Sequence, residues 1–292
     1  MKPLIWSILI LVILFSREAQ PQVTDSLKTG SPDWIIHQIF GPSRGSVDLA
    51  PYIGGELVMP DANQPDLANH PFVDSSDAVS IRALERNPDK IIYAVFVRNK
   101  DAQADIYCYM KRNTKAWQLV AIRSLATYGV TEAFVSELEK KPTLSGKERW
   151  ELAKARLTVS SDSALKAYFW AHQATYSRIL KMLSYRRASD SLPLTDKRRL
   201  ERGYLERLDT LSREIGKVED SLLTRGGPSL YLSDCPGTSV FMVGGLLDNA
   251  VGYAYLPDSC TVPSMWQSAE SHGSGVIYIE RIAPQWYLFK TT

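Results

Sequence analysis

The sequence predicts an α+β protein, in which an N-terminal helix and an antiparallel β-meander precede a helical hairpin packed on a C-terminal antiparallel sheet. Alternating apolar residues separated by short turns predict strands in 90–123 and 240–290. Apolar residues at helical spacing predict two helices between 161 and 223. The 292 residues are 45% hydrophobic and 10% aromatic, enough to build two domains with buried cores.

The N-terminus predicts export. Lys2 precedes an apolar run at 3–15, which has the length of a signal peptide and is shorter than the roughly 20 residues of a membrane span. We expect a signal peptide at 1–22 and a periplasmic or secreted mature protein. Because Arg17 fits a cleavage site poorly, an uncleaved anchor is the alternative, and membrane contact would then involve this segment alone.

The mature chain divides into an N-terminal α+β domain at 23–128, a helical connector at 129–158 and a C-terminal domain at 159–292. In the first domain a short helix at 34–40 ends at Gly41-Pro42, and a long irregular passage follows it. Strands are predicted at 90–98, 104–112 and 116–123, with the helix covering one face of their sheet. This order of elements resembles the small folds of the nuclear-transport-factor-2 and cystatin types.

Two amphipathic helices dominate the C-terminal domain. The first begins at the predicted N-cap Ser161, and the second spans 196–223. A short polar loop between them predicts an antiparallel hairpin. The apolar stripe of the first helix is Leu165, Phe169, His172, Tyr176, Ile179 and Leu183, and that of the second is Leu200, Tyr204, Leu208, Leu211, Ile215, Val218 and Leu222.

The final residues predict two strand pairs. The first pair joins 240–243 to 251–256 through a turn at Asp248-Asn249, because both residues tolerate positive φ. The second joins 275–281 to 285–290 around Ala283-Pro284.

Four segments of this half resemble an uncharacterised family of exported bacterial proteins. They are 157–165, 169–183, 252–257 and the pair 279–281 with 286–288. The resemblance covers about 145–292. It implies a domain boundary and an extracytoplasmic location, and it implies no activity, cofactor or catalytic residue.

Cysteine placement predicts one disulfide. Cys235 and Cys260 lie at nearly equal distances on either side of the predicted hairpin turn, so we expect them to pair in an oxidising compartment. Cys108 alternates with Ile106 and Met110 on one strand face, which predicts a buried free thiol. The alternative is three thiols that never meet.

One catalytic motif occurs in part. Ser163 and Lys166 match the Ser-x-x-Lys of penicillin-recognising enzymes, and Lys28-Thr29-Gly30 matches their Lys-Thr-Gly. The order of the two motifs is reversed and no Ser-Asp-Asn lies between them. We therefore interpret Ser163 as a residue of the first helical turn.

The sequence predicts no metal or cofactor site. The four histidines, His37, His70, His172 and His272, lack the paired spacing of a zinc site. His172 is predicted to be a hydrogen-bonded core residue. Two groups of polar residues lie in a turn-rich passage. His70, Asp74 and Asp77 resemble a proton-transfer set, and Asp61, Asn63 and Asp66 resemble a calcium loop that lacks its glycine and closing glutamate. We interpret both groups as solvated turns.

The loop end of the helical hairpin is basic. A solvated helix end is the favoured interpretation and an acidic partner is the alternative. The residues are Arg186, Arg187, Lys197, Arg198, Arg199 and Arg202.

These features favour an exported, non-enzymatic binding or interaction protein with an unknown protein or envelope partner. The formal charge of +2 gives no reason to expect a nucleic-acid partner. One alternative is an extracytoplasmic hydrolase with a site between the two units, for which His70 or His272 is the candidate residue. Another is a structural part of an envelope assembly.

Overall fold

A computed structural model of the chain describes residues 27–41, 47–58, 78–98, 103–114, 116–189, 237–246, 249–262, 264–266 and 275–291. These residues form two antiparallel sheets and four α-helices, which confirms the α+β class. The predicted signal peptide at 1–22 lies outside the described residues. Within them, no helix is both long and apolar enough to cross a membrane.

The first sheet is a four-stranded meander in chain order. Its strands are β1 (Ala78–Arg86), β2 (Lys90–Arg98), β3 (Gln103–Arg112) and β4 (Trp117–Arg123). The three predicted strands are therefore confirmed. β1 was not predicted and pairs with β2 along its length, from Ala78 opposite Arg98 to Arg86 opposite Ile91.

Helix α1 (Pro32–Phe40) covers one face of this sheet, as predicted. The Ser31 hydroxyl caps the helix by accepting a 3.2 Å hydrogen bond from the Trp34 N–H, and Gly41 ends it. The helix and the sheet bury an outer core of Ile35, Ile36, Ile39, Phe40, Ile91, Tyr93, Val95, Val97, Ile106, Cys108, Met110 and Leu119.

The predicted connector is a pair of packed helices, α2 (Tyr128–Glu139) and α3 (Gly146–Thr158). Pro142 lies in the break between them. A capping box begins α3, because the Ser145 hydroxyl accepts from the Glu148 N–H and the Glu148 carboxylate accepts from the Ser145 N–H.

Helix α4 (Asp162–Ser189) is the first helix of the predicted hairpin. Ser161 caps it through a 3.3 Å hydrogen bond from the Ala164 N–H. The predicted second helix at 196–223 lies outside the described residues. The described part of the predicted stripe is buried at Leu165, Phe169, Tyr176 and Ile179, whereas His172 is half-buried.

The second sheet has the order β5-β6-β8-β7, with β5 (Ser239–Leu246), β6 (Asn249–Tyr255), β7 (Val276–Ala283) and β8 (Trp286–Thr291). The predicted turn at Asp248-Asn249 is wrong at Asn249, which lies in the strand and not in the turn. Asn249 pairs with Leu246 inside the ladder, so it is a strand residue. Its buried side-chain oxygen accepts a 2.9 Å hydrogen bond from the Ala126 N–H, a contact with a distant loop that holds Asn249 in the sheet.

A central core lies between the two sheets and α4. It includes Ile92, Tyr107, Tyr109 and Ala121 of the first sheet, Leu165, Phe169, Tyr176 and Ile179 of α4, and Phe241, Val251, Tyr253, Tyr278, Trp286 and Leu288 of the second sheet. The first sheet is thus buried on both faces. The predicted boundary at residue 128 crosses this shared core, and the division of the chain into two domains remains a prediction.

Candidate functional site

Three charged side chains from distant parts of the chain meet in the interior. Asp105 lies on β3, Asp162 begins α4 and Lys290 lies on β8. The Lys290 Nζ is 2.8 Å from Asp105 Oδ2 and 2.8 Å from Asp162 Oδ1. The side chains are only 3%, 7% and 9% exposed for Lys290, Asp105 and Asp162. We call these three residues the buried triad.

Local structure explains how each member reaches the interior. Asp105 shares the inward face of β3 with Tyr107, and Lys290 shares that of β8 with Leu288, because alternate strand residues face the same side. Asp162 occupies the first turn of α4, where the positive end of the helix dipole favours a carboxylate.

Neighbouring groups donate hydrogen bonds to both carboxyl groups of the triad. The Tyr107 hydroxyl donates to Asp162 Oδ1 at 2.9 Å, and the Asp162 N–H donates to Asp105 Oδ2 at 3.0 Å. The stacked rings of Tyr107 and Tyr278 lie with their centroids 5.8 and 5.9 Å from Lys290 Nζ. The ammonium is therefore held by two carboxyl groups and two aromatic rings.

The pKa values of Asp105 and Lys290 are shifted in the triad. Burial raises the pKa of Asp105, Lys290 opposes the shift and Asp162 reinforces it, so that the net pKa is raised. For Lys290, burial alone would lower the pKa, but the two carboxylates outweigh it and the pKa is raised. Lys290 is consequently an ammonium at physiological pH.

A second charged cluster surrounds Glu280 on β7 and is partly exposed. Arg82 of β1 forms a two-pronged ion pair with the Glu280 carboxylate at 3.2 and 2.8 Å, and Lys166 of α4 lies 2.8 Å from it. The Tyr278 hydroxyl also donates to it. Burial raises the pKa of Glu280, but hydrogen bonds from Arg82, Lys166 and Tyr278 outweigh this effect and lower the pKa to about 2.

The structure does not assemble the parts of a penicillin-recognising site. Lys166 is paired with Glu280 at 2.8 Å, and Ser163 Oγ lies 3.0 Å from Ser161 Oγ. Gly30 belongs to the turn that leads into α1, on the outer side of the first sheet, whereas α4 packs on the inner side. Ser163 is a first-turn residue of α4, as predicted.

The histidines are dispersed. His172 Nδ1 lies 2.8 Å from the Tyr168 carbonyl oxygen, which confirms the predicted hydrogen bond, and the centroids of the two rings are 4.2 Å apart. The predicted core position is wrong, because His172 is half-buried. His37 lies in α1. Among the residues that the structure describes, no group of three or more His, Cys, Asp or Glu side chains is arranged to hold a metal ion. His70, His272, Asp61, Asn63, Asp66, Asp74 and Asp77 lie outside the described residues.

Cys108 is buried and free, as predicted, and burial raises the pKa of its thiol. Cys260 Sγ lies 3.9 Å from the Thr238 hydroxyl oxygen, so it is close to the segment that follows Cys235. Cys235 itself lies outside the described residues. The Cys235–Cys260 disulfide thus remains a prediction.

The outward side of α4 carries an exposed tryptophan. Trp170 is 52% exposed. Exposed alanines surround it, and exposed basic residues follow toward the helix end. We call this the α4 outer face: Ala164, Ala167, Trp170, Ala171, Ala174, Arg178 and Lys181. The basic residues predicted at the end of the hairpin lie beyond the described side chains.

Sequence reasoning missed the buried triad and the α4 outer face. A charged residue on the inward side of an otherwise apolar strand, such as Lys290 beside Leu288, was the available signal for the triad. Comparison of the chain with family models, with curated proteins and with solved structures finds no match.

Proposed function

We propose that the mature chain is an exported, non-enzymatic protein of the bacterial envelope or the secreted space that binds a protein partner through the α4 outer face. The observation that carries this proposal is the exposure of Trp170 on a helix whose opposite side is buried in the central core. Exposed tryptophan is unfavourable in water and is enriched where proteins bind one another.

The charge of the α4 outer face favours one kind of partner. From Ala164 to Ala174 the exposed residues are alanines and Trp170, and at about 1.5 Å per residue this part is roughly 15 Å long. Lys181 then adds an exposed positive charge, and no acidic residue lies between Ser163 and Lys181. An apolar protein segment flanked by acidic residues fits this arrangement.

The charged clusters give no support to catalysis. Solvent barely reaches the buried triad, and Glu280 is held between Arg82 and Lys166. The hydrolase alternative depends on His70 or His272, outside the described residues, so no observation favours it.

Site-specific photo-crosslinking in native envelopes tests the proposal. A photoreactive amino acid at position 170 is expected to capture a defined protein, whereas the same probe at the exposed control position Val58 is not. Lys181→Glu should reduce the yield of the adduct at position 170. Equal yields at both positions, a second copy of the chain, or an intrachain link to 190–236 would contradict the proposal.

Export has a separate test. N-terminal sequencing of the protein outside the cytoplasm should begin near residue 23. A sequence that begins at Met1 in that fraction would contradict cleavage.

A further inference from the structure

The buried triad has two carboxyl groups but one ammonium, so the ammonium cannot neutralise both when they are ionised. Two carboxylates share the single ammonium of Lys290, at 2.8 Å each, in a site that solvent barely reaches. In the part of the chain that the structure describes, Lys290 is the one cation paired with either carboxylate. With all three groups ionised, the site carries a net negative charge in a low-dielectric setting.

The other titratable groups around the triad do not compensate this charge. Tyr107 from β3, Tyr278 from β7 and Tyr128 from α2 face it, and burial raises the pKa of each phenol. These phenols stay neutral at physiological pH. The remaining compensation comes from the N-terminus of α4, which bears only a partial positive charge.

We propose that the buried triad is a pH-responsive clamp between the two sheets, in which one carboxyl group retains a proton in mild acid and the clamp weakens when this proton leaves. The clamp joins β3 to β8 and to the start of α4, so it acts on the interface that the two halves of the chain share.

The direction follows from proton linkage. The pKa of Asp105 is raised in the folded protein, whereas the unfolded chain has the ordinary value of 3.8. Between these two pKa values the folded protein binds the proton and the unfolded chain does not, so stability falls as the pH rises. Below pH 3.8 both states bind it and the slope disappears. Glu280 has the opposite slope, because its folded pKa of about 2 lies below the ordinary 4.5.

Urea unfolding of the mature protein from pH 4 to pH 8 tests the clamp. Asp105→Asn keeps a hydrogen-bond acceptor for Lys290 and removes the titrating group. The unfolding equilibrium constant of the wild type, divided by that of Asp105→Asn, should rise with pH by as much as tenfold per pH unit and then level off. The matched control is Glu280→Gln. The unfolding equilibrium constant of the wild type, divided by that of Glu280→Gln, should stay constant above about pH 6.

A ratio for Asp105→Asn that stays constant from pH 4 to pH 8 would overturn the proposal. If that variant does not fold, ¹³C NMR of the side-chain carboxyl groups in the wild type gives the same information. One buried aspartate should then titrate well above the others, with a changed midpoint in Asp162→Asn. Titration of every aspartate at or below the ordinary value would also overturn the clamp.

Discussion

At the scale of single residues, Tyr176 has an unusual position. Its ring lies within 5.2 to 6.1 Å of the rings of Phe169, Phe241, Tyr253 and Trp286. Its hydroxyl is buried without a hydrogen-bond partner in the described part of the chain. A buried polar group in this state costs free energy, because it has lost its bonds to water.

We therefore expect Tyr176→Phe to leave the free energy of unfolding unchanged or to raise it by about 1 kcal/mol. The matched control is Tyr253→Phe in the same cluster, because the Tyr253 hydroxyl donates a 2.8 Å hydrogen bond to the Leu165 carbonyl oxygen. This control should lower stability by about 1 kcal/mol. Urea denaturation measures both changes, and a clear loss of stability in Tyr176→Phe would reveal a partner for its hydroxyl.

Residue patterns predicted which side of α4 is buried, because Leu165, Phe169, Tyr176 and Ile179 repeat at helical spacing. They did not predict the buried triad. Asp105 and Lys290 are 185 residues apart in the chain, and no local period relates positions so distant. An aspartate in the first turn of a helix, such as Asp162, is common because the helix dipole favours it, so its position did not indicate a buried ion pair.

At the scale of elements, the errors occur where tertiary contacts decide the structure. β1 was missed because it is a half-exposed edge strand without a buried residue, and Arg82 and Arg86 interrupt its apolar pattern. In the first hairpin of the second sheet, Asn249 was predicted in the turn from its local preference. It lies in the strand instead, where its side chain accepts a hydrogen bond from the Ala126 N–H. Elements with strong local signals, such as α1 and α4, were predicted correctly.

The capping box of α3 provides a test at this scale. Ser145→Ala removes the hydroxyl that accepts from the Glu148 N–H, so we expect a loss of about 1 kcal/mol in the free energy of unfolding. Ser136→Ala is the matched control, because Ser136 is exposed in the interior of α2 and caps no helix. Equal stability of the two variants in urea denaturation would mean that the start of α3 does not depend on its cap.

The second test at this scale concerns the predicted disulfide. Thiol titration of the unfolded, unreduced mature protein should find one thiol, that of Cys108, and none in Cys108→Ala. A bond between Cys235 and Cys260 would stabilise the fold by about 3 kcal/mol in the chain-entropy model. Three titratable thiols in the wild type would exclude the pairing.

At the scale of the whole molecule, the sequence predicted two units but not how they meet. Their interface depends on pairs such as Arg82 with Glu280 and Tyr109 with the Ile277 carbonyl oxygen, 198 and 168 residues apart. The strands of each unit follow from local sequence patterns, whereas the surfaces that the two sheets turn toward each other depend on residues far apart in the chain. The sequence therefore indicated the fold class without the shared core.

The two buried faces of the first sheet have a consequence for the order of folding. Its hairpins are local and close quickly, but its inner face is covered by α4 and by the second sheet, whose contacts with it lie 55 to 198 positions later in the chain. Until then Ile92, Tyr107 and Tyr109 are open to water, and an intermediate of this kind aggregates readily. A fragment of residues 23–128 should thus bind a hydrophobic dye and self-associate, whereas the full mature chain should not. A monomeric fragment that binds no dye would show that the first unit folds without its partner sheet.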